Sequence, residues 1–168
     1  MRGGALVAGI GNVFLSDDAF GVEVAQRLTG RALPEGVRVE DFGIRGIHLA
    51  YELLDGYDAL VLIDAVPMGE QPGTLAVIEP EAGRGARSAD PDAPAVDAHT
   101  MSPDVVLATL NRLGGSVDRI FIVGCQPANL DEGMGLSPSV EAAVDAAADL
   151  CLEVLTQIPQ PVERGTHR

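Results

Sequence analysis

ALVAGIGNVFLSDDAFG, residues 5–21, runs from an apolar stretch, Ala5–Ile10, through a glycine turn at Gly11-Asn12 to two adjacent carboxylates, Asp17 and Asp18. Helical spacing follows, with Val22, Ala25 and Leu28 on one face of a segment expected over Gly21–Leu28. A strand that ends in glycine and hands acidic residues to a sheet edge is the layout of an α/β site. Ligands of open α/β sheets sit beyond the carboxyl ends of the strands. The stretch therefore poses one question: does this edge cradle a phosphate or hold a metal?

Outward from it, further strands are expected at Val37–Phe42, Ala59–Ile63, Thr74–Ile78 and Arg119–Val123. The first, third and fifth strands are continuous apolar runs, as coverage on both faces requires. Helical patterns lie between them. Ile47–Leu54 repeats Ile47, Ala50 and Leu54 and is stopped by Gly56. Pro103–Leu113 opens with Ser102 as N-cap, and the last helix opens at Ser137-Pro138 and runs to about Ile158. Strands alternating with helices predict an α/β fold, a single three-layer domain with a mostly parallel five-stranded sheet and helices on both faces. Thr74–Ile78 is the exception. Too few residues separate it from Ile63 for a helical crossover, so antiparallel pairing through the turn Pro67–Gly73 is expected. The long non-periodic stretch Glu79–Ala98 reads as a functional or mobile loop. Residues 1–158 form the domain and 159–168 are expected to be a disordered tail.

The chain has 168 residues, a length that suits one domain, and its 25 acidic against 11 basic residues give a formal net charge of −14. That field repels nucleic acid and anionic membrane surfaces and suits cations or a basic partner, although acidic balance also serves plain solubility. No apolar run has the roughly 20 residues needed to span a bilayer. Gly9, Gly11 and Asn12 interrupt the N-terminal apolar run, so no signal peptide is read and a cytoplasmic location is expected. Two cysteines, Cys125 and Cys151, make neither a disulfide framework nor a structural zinc site.

A nucleotide is not expected at the glycine turn. Phe14 stands where G-x-G-x-x-G requires its third glycine, and Asp17 and Asp18 hold the helix end that a pyrophosphate would need. The carboxylates read better as cation ligands. Asp18 follows the first strand, Asp64 closes the third in VLIDAVP, and Asp41 ends the second, so all three lie on one sheet edge. Taken alone, Asp18 also reads as a helix-capping carboxylate; Asp64, closing an apolar strand, needs a partner. His99, in DAHTMSP just before a helix cap, could complete a set of two carboxylates and one imidazole. Such ligands suit Ni(II), Zn(II) or Mn(II) and leave positions open for a substrate. His48 reads as a surface or capping residue and His167 lies in the tail. Cys125 reads as core, with a Cys-His pair to His99 as the alternative, and Ser16 lacks the nucleophile elbow of a serine hydrolase.

These residues match a known pattern. GIGNVFLSDDAFG resembles the G-[IV]-G-N-x-L-x-x-D-[DE]-G/A-x-G opening of the hydrogenase maturation proteases. EDFGIRG, VLIDAVPMG, DAHTMSP, GCQP and GLSPSV then resemble that family's further segments in its own order, over about residues 3–158. The resemblance implies a twisted central sheet between helices. It implies an endopeptidase that removes the C-terminal extension of a [NiFe] hydrogenase large-subunit precursor, with nickel already inserted in that precursor as the recognition signal. It further implies that Asp18, Asp64 and His99 are the metal-contacting positions. The cleaving water would then be polarised by the metal or by a carboxylate such as Asp17 or Asp41 acting as general base, and the sequence does not choose between these. Two alternatives stay open: a non-catalytic divalent-metal-binding module, and a protease of this fold that acts on another precursor. The departures are Asp18 where the family often has Glu, Phe42 for a glycine, and Ile44-Arg45 for Thr-x.

Overall fold

Alternation along two strands builds the layers. In β1 (Ala5–Ile10), Ala5 and Val7 face one side of the sheet while Leu6, Ala8 and Ile10 face the other. In β3 (Ala59–Ala65), Val61 and Ile63 join the first set and Leu60 and Leu62 the second. Period-two alternation with both faces apolar requires helices above and below. Two helices cover each side. α1 (Phe20–Thr29) and α4 (Pro138–Thr156) pack on the Val7 side, and α2 (Gly46–Leu53) and α3 (Pro103–Arg112) on the Leu6 side. The computed structural model describes residues 4–80 and 103–158.

With β2 (Val37–Gly43), β4 (Leu75–Ile78) and β5 (Arg119–Cys125), the five strands stand in the order β2-β1-β3-β5-β4. All pairings are parallel except β4 against β5. The chain leaves β1 towards β2 on one side and leaves β3 towards β4 and β5 on the other. A crevice therefore opens between the carboxyl ends of β1 and β3, the switch point where such folds bind ligands.

Three expectations need correction. β4 is antiparallel, as expected, but its partner is β5, which sits between it and β3. The turn before β4 therefore crosses the end of β5 rather than closing a hairpin on β3. β3 runs to Ala65 rather than Ile63, so Asp64 lies inside the strand, opposite Gly124 of β5. Ser137 stands at the N-cap position of α4 with extended backbone, yet its hydroxyl makes no cap bond. It turns to Asp17 instead. The tail 159–168, the Ser102 cap and residues 81–98 of the long loop lie outside the described residues. No helix among the described residues is long and apolar enough to cross a membrane.

Candidate active site

The glycine turn serves the protein's own carboxylate. Gly11 has φ +140°, and a Cβ there would meet the carbonyl oxygen of Asp18 at 1.8 Å. The returning backbone of Asp18 packs against this turn, so only glycine fits there. From there the Asn12 N–H donates to Asp18 Oδ2 at 2.7 Å, which fixes the half-buried carboxylate over the end of β1. Ser16 adopts φ +54°, a left-handed conformation that costs energy in a residue with a Cβ. Its backbone N–H donates to Gly133 O at 2.9 Å and its hydroxyl to Asp131 O at 2.8 Å, and these bonds hold the conformation.

Asp64 faces this turn from β3. It is 8% exposed, and burial pushes its carboxyl up to about 8, with the neighbouring Asp18 charge adding to the rise. The Ala65 N–H works in the opposite direction. Among the described residues no basic side chain pairs with Asp64, and no group of three possible metal ligands comes together. A buried carboxyl raised by the charge of a neighbouring carboxylate, with no basic partner among the described residues, has the charge and donor type that would suit a divalent cation. His99, the third ligand expected from the sequence, lies outside the described residues.

Asp17 has a different task. It is 0% exposed; Oδ2 accepts the Ala128 N–H at 2.8 Å and the Asn129 N–H at 2.9 Å. Oδ1 accepts the Ser137 N–H at 2.7 Å, and the Ser137 hydroxyl reaches both oxygens. Burial alone would raise its carboxyl, but the bonds from Ser137, Asn129 and Ala128 outweigh it and the net direction is down. A carboxylate committed to these donors has no lone pair to offer a reacting water, so the geometry does not suit the general base considered for it above. It is the anion at the positive end of α4 and ties the Asp18 segment to that helix. Asp17→Asn turns an amide NH2 towards backbone donors, and should cost about 2–4 kcal/mol in urea unfolding near neutral pH. Because the native carboxyl is depressed, wild type should lose this advantage as pH falls through the acid range, and the two curves should converge there. Equal stability at neutral pH would remove the anchoring role.

Asp41 sits opposite Gly9 in the register, one residue before an irregularity that places Phe42 between paired positions. The irregularity turns Phe42 into the core and leaves Asp41 on a cleft of about 310 Å³ that Asn12, Phe14, Ile44 and Arg45 also line. Cys125 is buried, and burial together with the Asp17 charge pushes its thiol up to about 11, so it stays protonated and unreactive near neutral pH. Gln126 is a residue whose role the sequence did not reveal. Its Oε1 accepts the Met68 N–H and, at 3.3 Å, the Glu70 N–H, fastening the turn that follows Asp64. GCQP reads locally as a turn, and only the fold shows what the side chain holds.

Comparison with known proteins agrees with this fold. The family model described as hydrogenase maturation protease matches residues 22–154. The hydrogenase expression/formation protein HupD of Rhodobacter capsulatus is 35% identical over 150 residues, which span 84% of this chain and 66% of HupD. The hydrogenase 2 maturation protease of Escherichia coli is 30% identical over 159 residues, 90% of each chain. Among solved structures, the hydrogenase maturating endopeptidase HybD from E. coli superposes with a TM-score of 0.73 at 29% identity, over 92% of this chain and 93% of that one. With this fold, and with the family model matched over residues 22–154, the chain belongs to the hydrogenase maturation protease family.

Proposed function

We propose that this protein is the endopeptidase that removes the C-terminal extension of a [NiFe] hydrogenase large-subunit precursor after nickel insertion. The nickel belongs to the substrate, and Asp18, Asp64 and His99 contact it. The observation that supports this reading is the buried Asp64 carboxyl, raised by burial and by Asp18, at the switch-point crevice. Such a pair admits a tail that brings its own divalent cation and disfavours one that does not. His99 stands four positions before Pro103, where α3 begins. Because α3 leads into the parallel strand β5, it runs back along the sheet and starts at the carboxyl edge that carries the two aspartates. Hydrolysis takes one water, which attacks the scissile carbonyl while its proton passes to a base; the C–N bond then breaks and the departing amine takes up that proton. Asp41, on the cleft wall, is the carboxylate we assign to that step, since Asp17 is fully bonded.

The test is co-expression with the large-subunit precursor of the same organism, with and without nickel, read by the precursor's mass. A nickel-dependent loss of a short C-terminal peptide is expected with wild type, and no loss with His99→Ala. An uncut but metallated precursor would favour a binding module or another substrate, and full cutting by His99→Ala would remove that residue from the set.

A further inference from the structure

α2 carries apolar residues on two sides. Leu49, Ala50 and Leu53 enter the core. On the opposite side Ile47 is 63%, Tyr51 57% and Leu54 40% exposed, and Ile44, just before the helix, is 50% exposed. Ile47, Tyr51 and Leu54, four then three apart, share one face of the helix, and Ile44 extends that apolar surface from the turn before it. A helix apolar all round is ordinarily buried, and a contiguous exposed patch of this kind marks an interaction surface.

Two observations indicate what lies on it. The stripe begins at the active cleft: Ile44 lines the same hollow as Asp41 and Asn12, and the Asn12 N–H holds the Asp18 carboxylate. Basic side chains also stand within this stretch of a strongly acidic chain. The chain carries a formal net charge of −14, yet residues 42–51 include no acidic side chain, and their basic members are Arg45 and His48. Arg45 donates to the backbone carbonyls of Asp41, at 2.7 Å, and Phe42, at 3.2 Å, and among the described residues it has no carboxylate partner. Glu52, the one acidic residue within α2, is engaged by Arg38 and Tyr57.

Resting on the reading above, we infer that the exposed face of α2 is the dock for the folded body of the precursor. The occupant is an apolar surface of the substrate that bears an acidic group opposite Arg45 and lies next to the tail delivered into the crevice. Burying two or three aromatic or aliphatic anchors at the centre of such a contact is enough to dominate its affinity. The division of labour is then spatial. The crevice reads the metal and cuts, while α2 holds the subunit.

The experiment compares the full-length wild type with the double variants Ile47→Glu/Tyr51→Glu and Ile47→Lys/Tyr51→Lys on the purified nickel-loaded precursor. Expected are unchanged melting temperatures, kcat within about twofold of wild type, and KM raised about tenfold or more by the Glu pair. The Lys pair should raise KM less, since it keeps the sign that an acidic occupant prefers. An unchanged KM for the Glu pair, alongside normal cutting by wild type, overturns the dock and leaves the protease reading intact. A lowered melting temperature would mean that the chain itself covers this face. A wild-type dimer in sedimentation that the Glu pair splits would assign the face to a second copy. Either result overturns the inference, as does a Lys pair weaker than the Glu pair. A wild type that neither binds nor cuts the precursor overturns dock and protease reading together.

Discussion

Asp64→Asn should abolish processing while the metal-free protein becomes more stable near pH 8. The two outcomes share one cause. Asp64 is buried beside Asp18, and burial with that neighbouring charge lifts its carboxyl to about 8 from an ordinary value of 3.8. Below the ordinary value it is protonated both folded and unfolded, and its contribution is fully present. As pH rises from there to about 8, the unfolded chain gives up the proton that the folded one keeps, so folding stability falls across that window. Above it the charge sits in the crevice uncompensated. Asn has the same shape and no charge. The gain should be about 1–3 kcal/mol, several degrees in Tm, near pH 8, and close to nothing near pH 4. Thermal melts in the presence of chelator at both pH values measure it. Added Ni(II) should raise the wild-type Tm at the higher pH and leave the variant unmoved. A variant that melts lower than wild type near pH 8, or that still trims the precursor, would end the case for Asp64 as the residue that meets the metal.

The parts of this molecule legible in sequence are those written in local pattern. The apolar runs of β1 and β3 give strands, the 3.6-residue repeats give helices, and a Ser-Pro start and a following glycine give helix ends. Asp18, Asp41 and Asp64 were legible as edge residues because each follows or closes a strand whose direction the alternation dictates. What was not legible depends on distant pairing. The insertion of β5 between β3 and β4 leaves no mark on Leu75–Ile78 itself. Ser137 looks like any N-cap, and its turn towards Asp17, 120 positions away, needs the folded chain. Asp17 and Asp18 are chemically identical neighbours, yet one is saturated by donors from a distant loop and the other is held by the Asn12 N–H, where its charge raises the Asp64 carboxyl. No rule of spacing separates them. Gln126 hides its role for the same reason, since its partners at Met68 and Glu70 are 58 and 56 positions away.

Gly21→Ala should unfold the protein more readily, against the ordinary direction of such a change. Within a helix, alanine is normally favoured over glycine by roughly 0.5–1 kcal/mol. Here α1 crosses the sheet at close quarters. A Cβ on Gly21 would stand 2.1 Å from the carbonyl oxygen of Ile63 and 2.3 Å from that of Ile10. A Cβ on Gly9, across the contact, would stand 2.2 Å from the carbonyl of Gly21. These obstacles are backbone of the two central strands, bonded on both sides, and cannot swing away as a flexible side chain could. The helix must lift instead, giving up packing of Phe20, Val24 and Leu28 in the core. A loss of at least about 3 kcal/mol is expected, enough to lower Tm by roughly 6–12 °C in a chain of this size. The site should register the same movement. Gly21 lies three residues after Asp18, so lifting α1 draws that carboxylate away from Asp64, and the Asp64 carboxyl should titrate lower in NMR than in wild type. Gly30→Ala is the control, because a Cβ there meets nothing nearer than Arg27 O at 3.6 Å, an ordinary contact. If both glycines accept alanine equally well, α1 does not sit on the sheet as closely as these distances require, and the pairing of Asp18 with Asp64 loses its structural cause.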